Sequence, residues 1–162
     1  MRSGIAIRCQ VVDVFADYHQ FYVQDGGINP AAPEDWSDLD VRHRAKVAEN
    51  VVVVCPVRDM TVSVEIALFA TEPRADALAP DHIVECSLSL PTGHLQVHEC
   101  TGGSVLDWQL PSGVYAVRLL FVGLNTLSQE GLEGKDRYHV HLWPGEYRPL
   151  CVTRAWTESS EA

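Results

Sequence analysis

The sequence predicts an all-β fold, an antiparallel two-sheet β-sandwich of eight to ten strands with at most one short helix. Two observations predict this class. Apolar and polar residues alternate over many short stretches, as they do in strands that are buried on one face. Turn-forming Pro, Gly, Asn and Asp residues separate these stretches at frequent intervals.

The strongest strand signal lies in residues 110–124, LPSGVYAVRLLFVGL. A Pro-Ser-Gly turn precedes a stretch that is apolar on both faces except at Arg118. We therefore expect a central strand, covered on one side by the second sheet and on the other by loops or a partner. The side chains expected to face the core are those of Tyr115, Val117, Leu119 and Phe121.

Two strands are predicted near the N-terminus. Residues 5–15 alternate loosely and then slip, which indicates a strand with a bulge near Val11 and Val12. Residues 18–24 are rich in aromatic and β-branched side chains, which favour a second strand before an Asp-Gly-Gly turn.

The sequence after Pro33 predicts either a short helix that extends to about Ala48 or, because the apolar positions are sparse, a loop with one helical turn. Four carboxylates stand at its start, where they complement the positive end of the helix dipole or form part of an acidic surface that faces a partner. These residues are Glu34, Asp35, Asp38 and Asp40.

The remaining chain is predicted to form short strands separated by two longer loops. The loop at residues 70–81 contains two prolines, and the loop at residues 125–136 is exposed and acidic. The acidic residues of the second loop are Glu130, Glu133 and Asp136. The predicted strands occupy residues 51–54, 60–69, 83–90, 95–97, 105–110, 137–143 and 149–156.

The 162 residues suit one domain, which we place at residues 1–156, followed by a polar C-terminal tail at 157–162. There is no apolar run of signal-peptide or membrane-span length, so we expect a cytoplasmic protein without membrane insertion. The five cysteines are widely spaced and include no C-x-x-C pair, which favours buried free thiols over a disulfide or a zinc site.

The formal net charge is −10, from 22 acidic and 12 basic residues. This balance argues against direct nucleic-acid binding, because an acidic protein repels phosphate. It suits either solubility alone or docking onto a basic partner, such as the DNA-binding groove of an enzyme.

The sharpest metal-like feature is the pair His139 and His141, which an extended strand places on one face. Two such imidazoles can bind one ion, as in cupin-type sandwiches, but further ligands are needed and the ordered cupin motif is absent. The alternative is an ordinary half-exposed strand face. His19, His94, His98 or Glu99 could supply further ligands only if the fold brings those strands together.

Familiar catalytic motifs are missing from the sequence. It contains no G-x-S-x-G, H-E-x-x-H, Walker A or dinucleotide fingerprint. We therefore expect a protein without enzymatic activity and without a cofactor.

Taken in order, the landmarks of the chain resemble the competence protein J family, small bacterial proteins known as inhibitors of a partner nuclease. The resemblance covers roughly residues 13–156, with an extra N-terminal strand and a larger loop before Asp136 in this chain. The matching residues are Tyr18, His19, Gln20, Phe21, Trp36, Leu110, Pro111, Gly113, Tyr115, Asp136 and Tyr138.

The resemblance and the net charge together imply a non-enzymatic protein-binding module that inhibits a basic partner nuclease. A cupin-like sandwich that binds a metal or a small ligand at His139 and His141 is the alternative. The expected partner-binding residues are Tyr18, His19, Glu34, Asp35, Asp38, Asp40, Glu130, Glu133 and Asp136.

Overall fold

The computed structural model describes residues 5–74 and 78–157. These residues form 11 strands, one α-helix and short 3₁₀ turns that include Asp17–His19 and Leu124–Thr126. The strands are β1 (Ala6–Phe15), β2 (Phe21–Asp25), β3 (Ala45–Ala48), β4 (Val51–Val54), β5 (Thr61–Phe69), β6 (His82–Leu90), β7 (His94–Glu99), β8 (Ser104–Gln109), β9 (Gly113–Val122), β10 (Arg137–Pro144) and β11 (Cys151–Arg154), and the helix is α1 (Asp38–His43).

The strands form two sheets, which confirms the predicted all-β sandwich. The six-stranded sheet has the order β1-β5-β10-β9-β6-β11, and the five-stranded sheet has the order β3-β4-β2-β7-β8. All described pairs are antiparallel except β10 with β5, which is parallel. The described residues contain one strand more than the upper limit predicted, because β3 occupies residues for which the sequence predicts the end of the helix.

Strand β9 lies between β10 and β6 in the six-stranded sheet, as its apolar sequence predicts. The core between the sheets buries one face of β9, including Leu119 and Phe121. The opposite face is buried as well, and its one charged residue, Arg118, donates a hydrogen bond from Nε to Glu85 (2.9 Å) and another from Nη1 to the Pro73 carbonyl (2.7 Å). The connection from β5 to β6 therefore contacts this outer face. Its Pro73 carbonyl accepts a hydrogen bond from the guanidinium of Arg118, whose burial without such partners would destabilise the fold.

The helix is shorter than predicted, and its expected extension to Ala48 is wrong. Arg44 adopts a left-handed conformation with φ of 61°, which ends α1 at His43. The next residues form β3, which pairs with β4 through contacts such as Val47 with Val52. A short strand at the sheet edge thus replaces the last turns of a helix whose apolar positions were sparse.

Two other boundaries differ from the predictions. The second strand begins at Phe21 rather than at residue 18, because Tyr18 and His19 lie in a 3₁₀ turn with φ values of 58° and 57°. Pairing of β1 with β5 is regular through Val11 and Val12, and the register shifts near the start of β1 instead.

The five cysteines carry no disulfide in the structure. Cys86 is buried, whereas Cys9 and Cys151 are exposed, so the predicted burial is wrong for these two. Neither the α-helix nor the 3₁₀ turns in residues 5–74 and 78–157 have the length and hydropathy of a membrane-spanning helix. Apart from Thr157, the predicted polar tail lies outside the described residues.

Candidate partner-binding site

The turn that carries Tyr18 and His19 is the first part of the candidate site. The Tyr18 N–H donates to Asp59 Oδ1 at 3.1 Å, and His19 Nδ1 lies 3.2 Å from the carbonyl oxygen of Pro56. These contacts hold two consecutive non-glycine residues in the left-handed region, which is a strained backbone conformation. As a result, the Tyr18 side chain projects outward and is 67% exposed.

A cleft of about 450 Å³ lies beside this turn. Tyr18 and His19 line one part of it, and the segment before and within α1 contributes Trp36 and Val41. The segment between β4 and β5 supplies Pro56, with Cys55 and Val57 on either side. We call this the Tyr18 cleft; it combines exposed aromatic and aliphatic side chains.

The first acidic segment borders the cleft, because it surrounds Trp36 in the chain. Glu34, Asp35 and Asp38 are exposed there. Asp40 is half-buried and has a structural task, since Ser37 and Asp40 form a capping box at the start of α1. A hydrogen bond from Lys46 Nζ at 2.7 Å, together with those of Ser37, lowers the pKa of Asp40 to about 2.

The second acidic segment contains an exception. Glu130 and Glu133 are exposed, but the expectation that Asp136 is exposed is wrong, because its side chain is buried. Asp136 Oδ1 accepts a hydrogen bond from Arg58 Nε at 2.7 Å, and Oδ2 accepts one from the Tyr138 hydroxyl at 2.6 Å. Asp136 thus fastens the loop to the body of the protein.

The segment at residues 55–60 brings the two acidic segments to the same end of the sandwich. Its Pro56 and Val57 line the Tyr18 cleft. The next residue, Arg58, holds Asp136 and donates from Nη1 to the Leu132 carbonyl at 3.3 Å. The acidic loop and the start of α1 therefore both lie next to the segment at residues 55–60, and no pattern in the sequence indicates that Arg58 holds the loop there.

The histidine pair lies elsewhere, on the outer face of the six-stranded sheet. The prediction of an ordinary half-exposed face is wrong, because His139 and His141 are 5% and 7% exposed. His139 Nδ1 contacts Glu65 Oε1 at 2.9 Å, and the two imidazole centres are 6.0 Å apart.

The geometry of the described residues does not favour a metal centre at this pair. Over residues 5–74 and 78–157, no three His, Cys, Asp or Glu side chains are grouped as a metal site needs. The further ligands considered from the sequence lie apart. His94, His98 and Glu99 belong to β7 in the other sheet, and His19 lines the Tyr18 cleft.

A Cys–His arrangement also occurs on this face, but its chemistry is unsuited to nucleophilic catalysis. The Cys9 thiol donates to Glu65 Oε2 at 2.8 Å, so a carboxylate stands between it and His139. Although Cys9 is exposed, partial desolvation of its thiol, the hydrogen bond to Glu65 and the charge of Glu65 raise the pKa of Cys9 to about 11. A nucleophilic cysteine needs the opposite shift, which would favour the thiolate.

Burial of the histidine pair predicts a loss of stability in acid. Burial of the imidazole is the main cause that lowers the pKa of His141 from 6.5 to about 4, and the charge of the neighbouring His139 is the second cause. Between these two values the unfolded chain binds the proton and the folded chain does not, so stability is full above pH 6.5 and falls toward pH 4. We expect a loss of up to roughly 3 kcal/mol from this group.

Urea unfolding measured at a series of pH values tests this expectation. His141→Gln removes the titrating group and should flatten the curve between pH 6.5 and 4 relative to the unmodified protein. Identical curves for both proteins in this range would contradict it.

No family model and no curated protein matches the sequence significantly. Solved structures do match. One is ComJ from Bacillus subtilis, described as an inhibitor of the DNA degrading activity of NucA, with 17% identity, a TM-score of 0.66, and coverage of 87% of this chain and 98% of ComJ. The chain has a ComJ-like fold.

A second structure extends the likeness. The product of crocagin biosynthetic gene J matches with 20% identity and a TM-score of 0.58, over 86% of this chain and 98% of its own. Both likenesses span most of the sandwich, which confirms the resemblance stated from the sequence as one of fold. At these identities the fold is what is shared, and function has to be argued from the site.

Proposed function

We propose that this protein is a non-enzymatic protein-binding module that inhibits a basic partner nuclease. It binds this partner through the Tyr18 cleft and the exposed carboxylates on both sides of it. The observation that carries the proposal is the strained, outward-facing Tyr18 at a cleft that the first acidic segment borders. The second acidic segment is held by Arg58, which follows the cleft residues Pro56 and Val57 in the chain. The ComJ-like fold supports it, because ComJ itself inhibits a nuclease.

The physical basis is competition with nucleic acid. A nuclease binds the phosphate backbone in a basic groove, and exposed carboxylates such as Glu34, Asp35 and Glu133 present the same sign of charge. Complementary charge steers the two proteins together, and an aromatic side chain at the centre of the contact supplies specific binding energy.

NucA, the nuclease named with ComJ, is the first probe for this proposal. The purified protein is added to NucA, and the rate of DNA degradation is measured over a range of inhibitor concentrations. Saturable inhibition, with a complex that survives gel filtration, is the expected result. If neither NucA nor nuclease activity captured from the source organism is bound, the nuclease proposal is wrong.

A charge-neutralised variant separates electrostatic steering from other contributions. Asp35→Asn with Glu133→Gln removes one charge from each acidic segment, and we expect association with the basic nuclease to slow about tenfold at low salt. The dependence of the association rate on salt should also become flatter. Stopped-flow kinetics at several salt concentrations measures both effects.

The matched control is Glu49→Gln with Glu146→Gln, which changes the net charge equally. Both residues are exposed, and they lie at the other end of the sandwich, since Glu49 precedes β4 and Glu146 follows β10. The control variant should associate with the nuclease at the same rate as the unmodified protein. Equal slowing in both double variants would show that only total charge matters and would contradict the proposed location.

A further inference from the structure

Strand β1 forms one edge of the six-stranded sheet, and within the described part of the chain β5 is the one strand that pairs with it. It has 10 residues and contains no Pro or Lys, two residue types that commonly protect sheet edges from association. It also bears exposed apolar side chains, with Ile7 at 65%, Val11 at 61% and Phe15 at 40% exposure. A long apolar edge of this kind is suited to pairing with another strand.

The backbone contacts at the end of β1 establish which groups face outward. The Ala16 N–H donates to the Met60 carbonyl at 3.0 Å, on the β5 side. The Phe15 N–H instead donates to the carboxylate of Glu99 at 2.8 Å, away from β5. Because these directions alternate along an antiparallel strand, the N–H and C=O groups of Cys9, Val11 and Asp13 point to the open edge.

We propose that β1 pairs with β1 of a second copy of this chain, antiparallel and centred on Val11. In this register Val11 lies opposite Val11, and Cys9 lies opposite Asp13. Each of these pairs exchanges two backbone hydrogen bonds, using the groups that point to the open edge. Glu99 already occupies the Phe15 N–H, so it limits the pairing at that end.

The second copy is favoured over an unrelated strand because the edge is complementary to itself. The two-fold register brings the exposed Ile7 near Phe15 of the other copy at both ends. It opposes no like charges, since Arg8 lies across from Val14. A two-fold contact between identical strands closes on itself and ends the assembly at two chains.

Salt distinguishes this contact from binding to a nuclease. Each copy carries a net charge of −10, so the two copies repel one another and added salt should strengthen their association. Added salt should weaken the binding of a basic partner at the acidic end.

Sedimentation equilibrium tests the dimer at high and low salt. We expect the mass of two chains for the unmodified protein and of one chain for Val11→Lys. Val114→Lys is the matched control, because Val114 is an exposed valine of the same sheet, on a strand with neighbours on both sides. It should remain a dimer. A single-chain mass for the unmodified protein up to its solubility limit, or a dimer of Val11→Lys, would overturn the proposal.

Disulfide trapping tests the register, in a background with the exposed Cys9 and Cys151 changed to serine. Val11→Cys should form a cross-linked dimer on mild oxidation, because the two new thiols face each other. Asp13→Cys should not, because its two thiols would lie about 14 Å apart along the strands, beyond the reach of a disulfide. Equal cross-linking of both variants would overturn the register centred on Val11.

Discussion

Replacing Asp136 with alanine is expected to lower the free energy of unfolding by about 3–5 kcal/mol. The Asp136 side chain is fully buried, and that of Arg58, which contacts it at 2.7 Å, is only 12% exposed. Removing the carboxylate leaves a guanidinium that is largely removed from water and has lost its counter-ion. It also removes the acceptor of the Tyr138 hydroxyl, which in turn accepts the N–H of Val57.

Urea unfolding of Asp136→Ala measures this loss, with Glu133→Ala as the control from the same loop. Glu133 is exposed, so its replacement should change stability by less than about 0.5 kcal/mol. Adding Arg58→Met to Asp136→Ala should restore part of the loss, since the unpaired charge disappears. Equal effects of the two alanine variants would contradict the structural role of Asp136.

Replacing Tyr18 with alanine is expected to weaken binding of the partner nuclease by about 30-fold, the equivalent of roughly 2 kcal/mol. The side chain is 67% exposed in the free protein, so its apolar surface is available to a partner. For the same reason, the stability of the free protein should change little.

Calorimetric titration of the nuclease with the unmodified protein and with Tyr18→Ala measures the two affinities. Tyr147→Ala is the matched control, because Tyr147 is 74% exposed but lies outside the Tyr18 cleft. We expect Tyr147→Ala to bind as the unmodified protein does. Unchanged affinity of Tyr18→Ala would remove the cleft from the proposed interface and leave the acidic segments alone to account for binding.

The fold was predictable because its signals are local in the sequence. The alternation of apolar and polar residues indicates which face of a strand is buried, and turn residues mark where the strand ends. The apolar positions of β9 mark it as an interior strand without any knowledge of its neighbours. The end of α1 was harder to predict from the sequence. The left-handed conformation of Arg44 depends on the pairing of β3 with β4 and not on the conformational preference of arginine.

The site was predictable only in part, because its geometry depends on residues far apart in the chain. Asp136 stands in a polar loop that looks exposed, and its partner Arg58 is 78 residues away. Tyr18 has the composition of a strand residue, yet the contact of its N–H with Asp59 places it in a turn. The burial of His139 likewise depends on how the chain covers the outer face of the sheet.

The segment at residues 55–60 also affects how folding and binding are connected. It supports the Tyr18 turn through Pro56 and Asp59, and the acidic loop through Arg58. Both halves of the proposed interface are thus ordered before a partner arrives, so association should need little loss of conformational entropy. Any change that loosens this segment should shift the population toward forms that do not bind, and affinity should then fall in proportion to the fraction of competent molecules.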